Sequence, residues 1–182
     1  TLEALREPLE DNRLLVSRVN SKIDYEASFL FAAALNPCPC GNLLSSQKEC
    51  RCTQAEITKY KNKLSEPFLD RIDISVQMDE SKDSDKADVS SQGLFNAMVL
   101  AFKFRLQRGQ QSPNGKLNES EIANIKLTND AQALVMQASE RFGLSLRAVA
   151  KVKKVARTIA DLEQSEIVQK NHLLEALSYR KR

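Results

Sequence analysis

The second half of the chain carries its apolar residues at helical spacing. Ala131, Leu134, Val135, Ala138 and Phe142 share one face of a helix. That stripe stops at Gly143, a residue suited to the left-handed backbone that closes helices. Ser145 can cap the next helix, whose stripe is Leu146, Val149, Val152, Ala156 and Ile159. Leu173, Leu174 and Leu177 mark a last helix, and Leu94, Met98, Ala101 and Leu106 mark an earlier one over residues 94–108. Residues 109–118 are polar and read as a loop. A module of this kind can bury a modest core of its own.

The first half patterns differently. Residues 14–17 and 28–35 read as strands, the second almost wholly apolar, as in a strand covered on both faces. A buried helix is the competing reading for 28–35, and Asn36-Pro37 ends the segment in either case. Residues 37–53 form a cysteine-bearing loop. Residues 56–64 look helical, and Pro67 interrupts. Ile72 to Met78 alternates apolar and polar, the period of a strand. Leu2 and Leu5 sit at helical spacing, and Pro8 is expected to end that helix near Glu7. Residues 79–91 hold Asp, Ser and Lys with Val89 as the one large apolar residue, and read as a linker. The expected domains are therefore 1–90 and 91–182. The first half has too few strands to close an independent sheet. Thr1 stands where an initiator Met would, so a cut from a longer protein is expected.

Composition narrows the chemistry. The 182 residues carry 27 Lys and Arg against 24 Asp and Glu, a net charge of +3, which excludes a uniformly basic or acidic chain. No apolar run approaches the ~20 residues of a membrane helix, and no signal pattern opens the chain, so the cytosol is the expected compartment. The single histidine, His172, excludes an HExxH zinc site, and a surface position or packing among the helices is its expected role. Five glycines are too few and too scattered for a phosphate-cradling GxGxxG loop. Gly109-Gln-Gln-Ser-Pro-Asn-Gly115-Lys116 resembles a Walker A loop but has one residue too many between its glycines. Leu117 also stands where Ser or Thr would meet magnesium. This chain alone is expected to be inactive toward ATP.

Four cysteines carry the sharpest local signal. Cys38 and Cys40 form one Cys-x-Cys pair, and Cys50 and Cys52 form another. Four thiolates complete a tetrahedral zinc site, and Gly41 eases the bend between the pairs. Free thiols, or a disulfide unusual in the cytosol, are the alternatives.

The motifs Leu5-Arg-Glu-Pro-Leu-Glu10, Ala34-Leu-Asn-Pro-Cys-Pro-Cys-Gly41, Leu69-Asp-Arg-Ile-Asp73 and Val155-Ala-Arg-Thr-Ile-Ala-Asp161 together resemble the magnesium-chelatase-like AAA+ ATPases, of the competence protein ComM (YifB) family. The matching segments run from residue 2 to residue 180. The resemblance implies the α/β rear part of an AAA+ core, with an incomplete sheet, followed by an all-α helical lid. Both Walker motifs would lie upstream. It also implies ATP and magnesium as cofactors, self-association into a hexameric ring, and DNA branch migration in natural transformation. Glu66 departs from the family's usual glycine before Pro67. Phe102 and Arg105 stand where Arg and Gln are usual.

The resemblance assigns roles residue by residue. Asn36 matches sensor 1, the polar group that orients the attacking water. The plainer reading is an Asn-Pro turn. Arg71 matches an arginine finger acting on a neighbouring subunit's ATP, against a plain salt bridge with Asp70 or Asp73. Arg147 matches sensor 2, against a solvated helix charge. Arg13, Arg18 and Lys22 lie where the family inserts a pre-sensor β-hairpin and would grip a DNA backbone; an ordinary soluble hairpin is the alternative. Arg147, Lys151 and Lys154 share a helical face that can bind phosphates or simply be solvated. The rivals are a magnesium-chelatase I-type ATPase that remodels a partner protein and a zinc-binding interaction module without catalysis. The Cys-Pro-Cys insertion argues against the first.

Overall fold

The computed structural model describes residues 2–78, 80 and 88–180, which divide into two compact units. The expected linker at 79–91 lies mostly outside the described residues. Ser90 is described, and its hydroxyl accepts the Gly93 N–H at 3.1 Å to start the following helix.

The first unit opens with a 3-10 turn, Leu2–Leu5, that runs into helix α1, Arg6–Asp11. Pro8 does not end this helix, contrary to the sequence expectation. It is buried in the first turn, where backbone N–H groups have no partner to lose. The helix closes instead at Asn12, in the left-handed region at φ 53°. Strands β1, Arg13–Arg18, and β2, Ser21–Glu26, then pair antiparallel from Arg13 opposite Glu26 to Arg18 opposite Ser21. Val19 and Asn20 form the two-residue tip, and Val19 is fully exposed.

Residues 28–35 are neither helix nor strand, which corrects the buried-strand reading. A strand is defined by its ladder, and no partner strand for this segment stands among the described residues. Leu30 is accordingly 94% exposed; Phe31 finds one aromatic neighbour, Phe68, edge-on at 6.1 Å. Ile72 to Met78 forms no strand either, and Ile74, Val76 and Met78 are exposed for the same reason. Helix α2, Gln54–Lys61, starts two residues earlier than the sequence suggests. Pro67 opens rather than interrupts, because it lies in the first turn of helix α3, Glu66–Leu69, which Ser65 caps.

The second unit is built on α7, Leu146–Leu162. Around it stand α4, Ser91–Gln107, α5, Glu119–Ala123, α6, Asn129–Phe142, and α8, Lys170–Ser178. Val152, Val155, Ala156, Ile159 and Ala160 of α7 meet Ala131, Val168, Leu173 and Ala176 in one core. The caps fall where the sequence places them. Ser145 Oγ accepts the Ala148 N–H at 3.1 Å, and Gly143 closes α6 at φ 60°. Five of the apolar positions that mark these helices miss the core: Leu94, Met98, Phe142, Leu146 and Leu174 are exposed. Leu146 is the first residue of its helix, with no preceding turn to carry it over the core.

Candidate metal centre and nucleotide-linked residues

The loop after residue 36 brings all four cysteines together. Gly41 makes the first bend: its N–H donates to the Cys38 carbonyl at 3.1 Å, and its φ of 81° disfavours any residue with a Cβ. Cys52 is held from the other side, because α2 begins two residues later. A reciprocal cap fixes that start: the Thr53 N–H donates to Glu56 Oε2 at 2.8 Å, and the Glu56 N–H to Thr53 Oγ1 at 3.3 Å.

The resulting sulfurs lie 3.4 Å (Cys38–Cys40), 3.6 Å (Cys40–Cys50) and 3.7 Å (Cys38–Cys50) apart, and all four fall within 4.8 Å of one another. Four thiolates at ~2.3 Å from a tetrahedral metal stand about 3.8 Å apart, so these spacings fit one ion and are too long for disulfides. Cys38 is completely buried, Cys40 is exposed, and Cys50 and Cys52 are half-buried. The acidities show a conflict that a cation would relieve. Backbone N–H groups of Asn42 and Arg51 hold the Cys40 thiol down at about 6. The Cys40 N–H favours a Cys52 thiolate too, but burial and the sulfurs of Cys40 and Cys38 outweigh it and push Cys52 up to about 12. Four clustered sulfurs therefore resist ionising together, and a divalent metal removes that cost.

Asn36 is exposed, two residues before Cys38; a Cβ placed on Gly41 would lie 3.8 Å from its amide nitrogen. Arg71 follows α3 and is largely buried. Its Nε donates to the Arg6 carbonyl at 3.0 Å, one Nη to the Pro67 carbonyl, and the other pairs with the Glu10 carboxylate. Its ion pair is thus made with Glu10, 61 residues away in sequence.

The hairpin sorts its cations by face. Directly opposed residues share a face and successive residues alternate. Arg13 and Lys22 therefore lie on one side with Ser17, Asp24 and Glu26. Arg18 lies on the other with Leu14, Val16, Ile23 and Tyr25. Arg13 pairs with Asp24 at 3.3 Å, and Arg18 and Lys22 flank the exposed tip.

Arg147 is exposed in the first turn of α7. Along that helix, Lys151 pairs with Asp73 at 3.2 Å, and Lys154 donates to the Gly115 carbonyl at 3.0 Å. Burial pulls the Lys154 ammonium below its ordinary pKa. Lys151 and Lys154 are thus already engaged within their own unit, to which Asp73 belongs.

A buried polar cluster escaped the sequence reading. Asp161 accepts from Arg108 Nε and Nη2, both at 2.9 Å, from Arg157 at 3.0 Å and from Asn114 at 2.7 Å. Arg157 and Asp161 are each 2% exposed. Their i, i+4 spacing inside the Val155-Ala-Arg-Thr-Ile-Ala-Asp161 motif was the available signal. A cleft of about 490 Å³ opens beside the cluster, lined in part by Arg108, Gln110, Lys126, Arg157 and Glu166. His172 is buried in the second unit: Nδ1 accepts the Gln169 N–H at 3.0 Å, and Nε2 lies 2.9 Å from Glu163. At the departures in α4, Arg105 stacks over the Phe102 ring at 4.6 Å.

Comparison with known proteins covers both units. The model of magnesium chelatase subunit ChlI matches residues 1–86, and that of the ChlI C-terminal region matches 88–180. The chain belongs to the magnesium-chelatase-like family. Competence protein ComM of Haemophilus influenzae is 36% identical across 98% of the chain. The uncharacterized protein YifB of Escherichia coli is 37% identical across 99%, and that of Salmonella typhimurium 38% across 99%. The chain spans 36% of the length of each of these relatives. No helix among the described residues is long and apolar enough to cross a membrane.

Proposed function

We propose that this chain is the rear of the ATPase core (1–90) and the helical lid (91–182) of a ring-forming AAA+ protein that uses ATP hydrolysis to move DNA strands. The observation that carries the reading is similarity to competence protein ComM along 98% of the chain, with the Cys-x-Cys pairs folded into one cluster. In this reading Asn36 orients the attacking water, Arg147 reports the γ-phosphate to the lid, and Arg71 reaches a neighbouring subunit's nucleotide. ATP and magnesium are bound by the longer protein, since these residues contain no glycine spacing for a phosphate loop. Cys38, Cys40, Cys50 and Cys52 hold one zinc ion that fixes the loop beside Asn36. The protein works in the cytoplasm.

The hairpin is the proposed strand grip, with Arg18 and Lys22 at its exposed end meeting phosphates. Arg13 contributes less, because Asp24 already neutralises it. Branched DNA should stimulate ATP hydrolysis by the full-length protein. The Arg18→Ala, Lys22→Ala double variant should weaken DNA binding and lower the salt dependence by about two phosphate contacts. Arg13→Ala should change both less. A salt slope unchanged in the double variant would remove the hairpin from the DNA path. A partner-remodelling chelatase-type ATPase would show no DNA stimulation at all.

A further inference from the structure

The four sulfurs of the cluster are not equivalent, and their differences point to chemistry beyond holding a metal. Cys38 is sealed in the core of its unit, whereas Cys40 reaches solvent; Cys50 and Cys52 are intermediate. Oxidants arrive through solvent, so an exposed thiolate reacts first. Cys40 also has two sulfurs within reach, Cys38 at 3.4 Å and Cys50 at 3.6 Å. Cys38 is two residues away along the chain and buried, and a disulfide across one intervening residue is poorly placed for the required S–S dihedral. Cys50 is ten residues away, partly accessible, and on the opposite limb of the loop. Its backbone is free of that restriction.

We propose that Cys40 is the oxidation site of a peroxide-sensitive zinc centre, with Cys50 as its resolving thiol. This rests on the zinc reading above. The Cys40 sulfur attacks one oxygen of a hydroperoxide, the O–O bond breaks, and Cys40 becomes a sulfenic acid; the other oxygen leaves, protonated, as water or an alcohol. The Cys50 sulfur then attacks the Cys40 sulfur. A disulfide forms, and the sulfenic oxygen leaves as water after taking a proton from solvent. Two sulfurs give up two electrons, and the hydroperoxide accepts them. Cys38 and Cys52 remain as two ligands where four are needed, so the ion is released and the loop beside Asn36 loses its anchor. Reduction by a cellular thiol system, followed by zinc, restores the centre.

The test uses the full-length zinc protein treated with hydrogen peroxide, with released zinc read by a chromogenic chelator and disulfides mapped by peptide mass spectrometry. The expected result is one zinc released per Cys40–Cys50 disulfide, reversed by reductant and zinc. A second variant, Cys40→His, keeps a zinc ligand while removing the oxidisable sulfur, and should release zinc roughly tenfold more slowly. Release from Cys40→His at the wild-type rate overturns the proposal. So does a wild-type disulfide that omits Cys40. Full retention of zinc with four recoverable thiols overturns it too. Protein that contains no zinc before any peroxide is added overturns the metal reading itself.

Discussion

Replacing Arg71 with alanine in the full-length protein should leave nucleotide binding intact while lowering ATP hydrolysis roughly a thousandfold or more. The guanidinium can span two oxygens of the transferring phosphoryl group, which an ammonium cannot. Its geometry here adds a condition. Arg71 uses Nε and both Nη nitrogens on the backbone carbonyls of Arg6 and Pro67 and on Glu10, so the guanidinium must give up part of these contacts to meet a nucleotide. The same contacts mean that alanine also removes some stability, so a second variant is informative. Arg71→Lys retains a charge near Glu10 but lacks the planar fork. It should melt between Arg71→Ala and the wild type and still hydrolyse ATP poorly. Mixing Arg71→Ala with a Walker-deficient variant should restore part of the activity, because intact sites can form at mixed interfaces. Hydrolysis at the wild-type rate in Arg71→Ala assigns the residue to the Glu10 ion pair alone.

Asp161→Ala should destabilise the helical unit by about 3–5 kcal/mol. One carboxylate receives Arg108, Arg157 and Asn114, and both it and Arg157 are almost fully buried. Removing the carboxylate leaves the Arg157 guanidinium, almost wholly buried, without its nearest counter-charge. The loss should exceed that of Lys151→Ala, since its partner Asp73 is 58% exposed and a pair screened by solvent contributes only about 0–1 kcal/mol. Asp161→Asn should fall between the two, because its amide oxygen still accepts hydrogen bonds without neutralising charge. Denaturant unfolding monitored by helix content measures all three. A loss below about 1 kcal/mol for Asp161→Ala would show that water or another carboxylate takes over.

The parts of the molecule that were legible in sequence are those decided locally. Ser145, Gly143 and the α6 and α7 stripes act within a few residues, so spacing alone placed both helices. The cysteine cluster was legible because ligand spacing states its own chemistry. Residues 28–35 and 72–78 have strand-like patterns, but a strand requires a second segment, and sequence pattern cannot say whether one is at hand. Pro8 misled because proline reads as a terminator unless its distance from the helix start is known. Arg157 and Asp161 read as ordinary surface charges on a helix. Their burial depends on Arg108 and Asn114, 53 and 47 residues from Asp161, and nothing local encodes that meeting. For Arg71 the plain alternative to a finger is a salt bridge with a neighbouring aspartate, whereas α1 supplies Glu10, which no local pattern signals.

The central structural claim is that the loop after Asn36 is a four-thiolate metal centre. Elemental analysis of protein purified without chelator, combined with X-ray absorption at the zinc edge, tests it most directly. About one zinc per chain is expected, with four sulfur neighbours at ~2.3 Å and no nitrogen or oxygen ligand. Protein that contains no metal and shows four freely titratable thiols would contradict it.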